Sequence, residues 1–432
     1  MIRVVVALTA FSLFSCSTIT RMGMQRTLRN LEKQFNHHTG FVLYNPEKRK
    51  TIINYQGDRY FTPASNTKVL TFYTALQILG DSVPALEYII RSDSLIFRGT
   101  GDPSFLYSAT HHSSRVYDFL RLFKGELYLA DNPLYTTPYG PGWAWSDYQY
   151  SYSVERSAFP LYGNYFVFKR MPSGKADVIP AYFKKFFRLT DSLERTQVVR
   201  DFGTNRLDYA PARNITQPEA WEIPYRPTPV VTADLLTDTL KKRVALLPSG
   251  SVNWNNARVL YSVPADSLYK TMMQESDNFI SEQLLMLCGW MLTDSLNPEA
   301  AIRYMLQKDL SDLPDKPVWV DGSGLSRYNL TTPRNMVALW EKISRQVPHN
   351  QLFELLAAGG KAGTLRNWYK AESPYVYGKT GTLSNNHCLS GFLITRKNRI
   401  LLFSFMNSNY IAPVNELRRE MEKILKQLHD KL

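Results

Sequence analysis

The two ends of this chain carry one kind of pattern and its middle carries another, and that layout restricts the fold most. Residues 25–36 place Leu28, Leu31 and Phe35 at helical spacing. Two short strand-like runs follow, Gly40–Tyr44 and Thr51–Tyr55, split by the turn-like Asn45-Pro46-Glu47. A helix is expected from Ala64 to about Leu79, with Leu70, Tyr73, Leu76 and Ile78 apolar. Near the other end, Tyr375–Gly381, Cys388–Thr395 and Ile400–Met406 read as strands, the last two joined by Arg396-Lys397-Asn398. A final helix over 414–431 lines up Leu417, Met421, Ile424, Leu425 and Leu428. Both ends therefore predict one sheet flanked by helices. Between about Asp81 and Arg258 the pattern changes to short strands, prolines and aromatics. Twelve of the 34 residues from Tyr135 to Phe168 are Phe, Tyr or Trp, which reads as aromatic strands packing a core rather than as a surface for stacking sugars.

At 432 residues the chain is long enough for two or three domains and a core that needs neither disulfide nor metal. The formal charge of +13 opens the question of nucleic acid. Its Lys and Arg are scattered (Arg21, Arg91, Lys184, Lys241, Arg418), not gathered in a stripe or motif, so no nucleic-acid partner is expected. A basic surface with some attraction to anionic polymers is the reading that remains.

The first fifteen residues have one cation, Arg3, before an apolar stretch from Val4 to Phe14, the pattern of an export signal. Leu13-Phe14-Ser15-Cys16 is similar to a bacterial lipobox, which makes Cys16 a candidate lipidation site; an ordinary signal with an incidental Cys is the other reading. Cys288 and Cys388 sit in apolar surroundings and suit core positions. The seven His residues make no zinc spacing, so no metal is expected, and no cofactor.

Three short motifs carry chemistry. Ser65-Asn66-Thr67-Lys68 follows Pro63, a residue tolerated at a helix start. Ser65 then lies in a first turn with Lys68 one turn on, on the same face. A neutral Lys68 takes the proton of a serine hydroxyl, provided that burial or a cationic neighbour depresses its pKa. Ser276-Asp277-Asn278 precedes a helical run, Phe279–Leu287. A second serine, Ser276, relays protons, and the Asn278 amide docks a peptide carbonyl. Alone, this tripeptide also reads as a helix cap. Lys379-Thr380-Gly381-Thr382 lies on a predicted strand. There a cation binds a carboxylate, Gly381 lets a substrate backbone lie against the strand, and the Thr382 N–H pairs with that of Ser65 as an oxyanion hole. Each motif is weak alone. The three in this order on helix, helix and strand mark penicillin-binding proteins and serine β-lactamases.

With those residues in place, the chain resembles the D-alanyl-D-alanine carboxypeptidase/endopeptidase family, the low-molecular-mass class C penicillin-binding proteins. The flanks agree: Gly99-Thr100-Gly101-Asp102-Pro103, Gly142-Trp143-Ala144-Trp145-Ser146-Asp147, Asp321-Gly322-Ser323-Gly324-Leu325-Ser326 and Gly360–Leu365 are all similar to family segments. The resemblance implies an α+β fold. A transpeptidase-like domain, antiparallel sheet with flanking helices, would comprise 17–81 and 259–432. A mainly β insertion would comprise 82–258, with possible subdomains 82–171 and 172–258; nothing specific is recognised over 172–250. It also implies an exported enzyme of the periplasm or cell envelope, acting on peptidoglycan peptides through an acyl-enzyme on Ser65 and acylated by β-lactams. Lys68 would be the base and Ser276 the relay. Asn278 would position the substrate, and Lys379 with Thr380 would hold its carboxylate. A membrane is reached only through a lipid on Cys16. A β-lactamase is the nearest rival, but no Glu between Ser65 and Lys379 has Asn four residues later, and the 211 positions from Ser65 to Ser276 exceed the compact β-lactamase layout. A non-catalytic protein that keeps the fold is a further alternative, against which the complete motif set stands.

Overall fold

The computed structural model describes residues 21–173, 175–190, 198–210 and 216–432. Residues 1–15, read above as an export signal, and Cys16 lie outside the described residues. The first helix, α1 (Arg21–Phe35), leads into β1 (His38–Asn45) and β2 (Lys50–Tyr55); α2 (Lys68–Ile78) follows. The chain returns much later with α3 (Asn278–Thr293), α4 (Pro333–Gln346), β3 (Ala357–Ala358), β4 (Val376–Leu383), β5 (Asn386–Ile394), β6 (Ile400–Ser408) and α5 (Val414–Lys431). The six strands form one antiparallel sheet in the order β3-β4-β5-β6-β1-β2. Residues from the two ends of the sequence are thus hydrogen-bonded neighbours, with Phe41 opposite Phe405.

The sheet is covered on both sides, so β1, β5 and β6 are apolar on alternate and on successive positions alike. Phe41, Leu43, Leu389 and Phe405 face α1 and α5 and pack on Leu28, Leu31, Leu417, Met421 and Leu425. Val42, Phe392, Leu402 and Met406 face the other way, onto Phe72, Ile280, Leu284 and Trp340. Pro413 precedes α5, whose apolar residues recur at steps of three and four and give it one buried face. Helices α2 and α3 are apolar nearly all round because they lie inside, between the sheet and the rest of the chain. Each large side chain buried in these layers contributes ~1.5–3 kcal/mol from the area withdrawn from water. Cys288 and Cys388 are free thiols, both buried in the core.

The middle of the chain leaves this body on Ser82–Arg91 and comes back on Arg258–Pro264, and these two strands pair antiparallel. Entry and exit therefore lie side by side, which is how a long segment interrupts the sheet without parting its halves. They belong to a five-stranded sheet with Ser94–Gly99, Glu126–Ala130 and Val244–Leu247; two three-stranded sheets complete the segment. Its aromatics divide. Phe159, Phe166 and Phe168 fill the core, as the strand reading expects, whereas Trp145, Tyr150 and Tyr152 are exposed.

Candidate active site

Ser65 does not sit in an α-helix. Ala64–Thr67 forms a 3-10 turn, and α2 begins at Lys68. Ala64 is held at φ 49°, a conformation that costs a non-glycine residue of order 1 kcal/mol or more. In a 3-10 turn side chains three apart eclipse, so Ser65 and Lys68 stack directly. Lys68 Nζ donates to Ser65 Oγ over 3.0 Å.

The turn is fixed by its neighbours. Asn66 Nδ2 donates to the Lys379 carbonyl (3.1 Å), and Asn66 Oδ1 accepts from Ser390 on β5 (2.5 Å). Gly381 explains how β4 comes so close. A Cβ there would lie 2.5 Å from the Pro63 carbonyl and 2.9 Å from the Ser65 nitrogen. The space that the sequence reading gave to substrate backbone is filled, on this side of the strand, by the turn that carries Ser65.

Lys68 is wholly buried. Besides Ser65 it donates to Asn278 Oδ1 (2.6 Å) and to the Ser323 carbonyl (2.7 Å). Burial pushes its ammonium down to about 8, against the pull of the Asp321, Glu282 and Asp277 carboxylates. An amine in that range supplies a usable neutral fraction near neutral pH, the condition a lysine base requires.

Lys379 is also buried, and burial followed by the Lys68 charge holds it well below its ordinary value. Its ammonium donates to Ser276 Oγ (2.8 Å) and to the Thr380 carbonyl (2.8 Å). The second and third motifs are therefore in direct contact. Successive side chains on a strand point to opposite faces, so Thr380 and Thr382 point away from Lys379. Thr380 Oγ1 donates to Thr364 (2.7 Å), and Thr382 Oγ1 lies 2.8 Å from His387 Nδ1. Lys379 and Thr380 thus do not present one carboxylate site between them. The lysine is turned inward to Ser276, and the threonine hydroxyls face out.

In the second motif the helix-cap reading describes Asp277. Asp277 caps α3 by accepting from Ile280 N (2.8 Å) and also accepts from the Tyr107 hydroxyl (2.5 Å). Ser276, at φ 65°, is swung toward Lys379 instead of continuing the helix. Asn278 is engaged at both ends of its amide, accepting from Lys68 and donating to the Tyr152 carbonyl (2.8 Å).

Several residues here lie outside the three motifs. The Asp321–Ser326 loop lies against the Ser65 turn, and Asp321 organises it by accepting from the Gly324 and Ser326 amides and from Trp143 Nε1. Glu282, fully buried on α3, accepts from Ser323 N (2.7 Å) and, on its other oxygen, from Arg156 (2.6 Å). The Ser323 carbonyl is thereby aimed at Lys68. Glu282 lies four residues after Asn278, on the same helix face, which is the only sequence signal it gives.

Gly324 sets the contact between this loop and the Ser65 turn. It has φ 83°, and a Cβ would fall 1.9 Å from the Ala64 carbonyl. We expect Gly324→Ala to slow acylation of the serine more than about tenfold, from a displaced turn, and to cost ~1–3 kcal/mol in backbone strain. Stopped-flow acylation and thermal melting check both. An unchanged rate would mean that the loop does not position Ser65.

The sequence of this chain matches the D-Ala-D-Ala carboxypeptidase 3 (S13) family model over residues 27–431. It is 25% identical over 438 aligned residues to the D-alanyl-D-alanine carboxypeptidase DacB of Haemophilus influenzae, covering 91% of this chain and 90% of that protein. The crystal structure of penicillin binding protein 4 from the same organism superposes with a TM-score of 0.76 at 21% identity, over 93% of this chain and 99% of that one. Bd3459, a predatory peptidoglycan endopeptidase from Bdellovibrio bacteriovorus, superposes with a TM-score of 0.54 at 15% identity, over 91% and 92%. These likenesses bear out the α+β, penicillin-binding-protein-like fold.

Proposed function

Because the chain belongs to the D-Ala-D-Ala carboxypeptidase 3 (S13) family and is a serine-type D-Ala-D-Ala carboxypeptidase, we propose that Ser65 is its nucleophile and Lys68 the base that activates it. The observation that carries this is the buried amine, 3.0 Å from Ser65 Oγ and held by Asn278 and Ser323. Ser65 Oγ attacks the carbonyl carbon of the penultimate D-alanine while its proton passes to Lys68 Nζ. The tetrahedral oxyanion sits between the N–H groups of Ser65 and Thr382, where each donor is worth ~3 kcal/mol of transition-state stabilisation. The C–N bond breaks as the leaving amine takes up the proton, handed on from Lys68 directly or through Ser276 Oγ, which Lys379 holds at 2.8 Å, so that Lys68 is neutral again for the attacking water. Water then hydrolyses the acyl-enzyme. Asn278 positions the substrate peptide by exchanging its Tyr152 contact for a substrate carbonyl. Thr380 and Thr382 offer their hydroxyls to the terminal carboxylate, and Gly381 keeps their strand against Ser65.

The same proposal takes 17–81 with 259–432 as the peptidase domain and 82–258 as the insertion, supported by the pairing of the segment's entry and exit strands. The substrate is the stem peptide of peptidoglycan, and β-lactams acylate Ser65 as mimics of it. Endopeptidase action on cross-links is included, supported by the likeness in fold to the Bdellovibrio enzyme. Export to the envelope and a lipid on Cys16 complete the reading. A globomycin-sensitive change in N-terminal mass tests the lipid.

The deciding experiment is incubation with labelled benzylpenicillin, followed by mapping of the adduct by mass spectrometry. One label on the peptide containing Ser65 is expected. A label elsewhere, or one that persists in Ser65→Ala, overturns the assignment. Muropeptide products then separate release of D-alanine from cleavage of cross-links.

A further inference from the structure

The third motif shows its substrate two hydroxyls, and the lysine beside them is turned the other way. A carboxylate held by hydroxyls alone lacks a charge partner, and charge-assisted hydrogen bonds are about twice as strong as neutral ones. The structure places a cation on the face of β4 that Thr382 points to. Arg418, on the first turns of α5, donates from its terminal nitrogen to Thr382 Oγ1 over 3.2 Å. Thr382 itself follows Gly381, the residue packed on the Ser65 amide.

Arg418 has no carboxylate partner among the described residues. Its other polar contact is Asn415 Oδ1 at 3.4 Å, and its guanidinium lies 5.7 Å from the Trp368 ring centre. Glu422, one turn on and placed for an i,i+4 pair, accepts instead from the Tyr369 backbone N–H. The other ring on this face, His387, is held near 3 by burial and by the Arg418 charge, so it is neutral and offers Thr382 a hydrogen bond without a charge. A half-buried guanidinium with no counter-ion among the described residues, bonded to a hydroxyl of the third motif, is a charge awaiting an anion.

We propose that Arg418 is a substrate-binding residue, the cation that receives the terminal carboxylate of the D-Ala-D-Ala peptide together with the Thr382 hydroxyl. It rests on the reading of Ser65 as the nucleophile. Lys379 then serves Ser276 alone, and the carboxylate is read from the opposite face of the same strand. The planar fork of arginine suits a carboxylate better than the point charge of lysine does.

The test compares ligands that differ only at the carboxylate. Acylation rate constants are measured with benzylpenicillin and with its methyl ester, for the wild-type protein and for Arg418→Gln. We expect Arg418→Gln to slow the free acid about 10- to 100-fold and to leave the ester rate within about twofold. For D-Ala-D-Ala peptides the loss falls mainly on KM. Equal losses with acid and ester, or no loss with either, overturn the assignment. If Arg418→Gln does not fold, Arg418→Lys carries the same comparison with a smaller selective loss. A wild-type protein that forms no Ser65 adduct would overturn the nucleophile reading and this inference with it. A wild-type Ser65 adduct together with equal losses, or no loss, for acid and ester in the variants overturns only the inference.

Discussion

Replacing Lys68 with methionine is expected to lower the acylation rate of Ser65 by at least about a thousandfold while the fold survives. Methionine fills a similar volume and removes the amine, so the lost factor measures proton removal; general-base catalysis contributes ~10²–10⁴-fold. Three acceptors meet the Lys68 ammonium, Ser65 Oγ, Asn278 Oδ1 and the Ser323 carbonyl, and each loses that partner. Some loss of stability therefore accompanies the change, and circular dichroism must show a native fold before the rate is read. The pH dependence gives a second reading on the wild-type protein. With Lys68 near 8, its neutral form grows tenfold per pH unit below that value. Acylation should therefore rise with pH and level off at about 8. A rate independent of pH between 6 and 9, or a Lys68→Met variant that acylates normally, would remove Lys68 from the mechanism.

The sheet was legible at both ends because β1, β5 and β6 are buried on both faces and read as short apolar runs. The three motifs were legible because each is contiguous. The direction of each side chain was not. That Lys379 turns to Ser276 while Thr380 turns to Thr364 on the opposite side depends on which face of β4 meets the Ser65 turn, a tertiary fact. Ser65 was placed on a helix, whereas packing against Gly381 and Gly324 forces a 3-10 turn that no propensity announces. The aromatic segment 135–168 mixes core and surface because most of it runs through loops and 3-10 turns with no fixed period, where Trp145 and Tyr150 are exposed, and only its end enters the strand Tyr165–Arg170 that buries Phe166 and Phe168. Glu282, Arg156 and Arg418 stayed hidden for a different reason. Each acts through a partner more than a hundred residues from its motif, or on another element altogether, and one sequence does not show such pairings.

The buried pair of Glu282 and Arg156 should produce the largest loss of stability. Their side chains are 3% and 1% exposed, and two Arg156 nitrogens bond one Glu282 oxygen at 3.0 and 2.6 Å. A buried pair gives little net stability over an apolar equivalent, but removing one partner strands the other charge, at about 3–5 kcal/mol. Glu282→Ala is expected to show that loss in urea unfolding, and to free the Ser323 amide as well. Arg156→Met in the Glu282→Gln background should recover much of it, since no charge is then left without a partner. Function should part from stability in these variants. Glu282 is one of the carboxylates that raise Lys68 against the effect of burial. Its neutralisation lowers the Lys68 pKa further, so the acid limb of the acylation profile moves to lower pH in Glu282→Gln. In the double variant the charge of Arg156 is gone too, yet the limb stays on the acid side, because the carboxylate has not returned. A double variant that regains stability and also regains the wild-type pH profile would show Glu282 to be a structural partner of Arg156 with no influence on the catalytic amine.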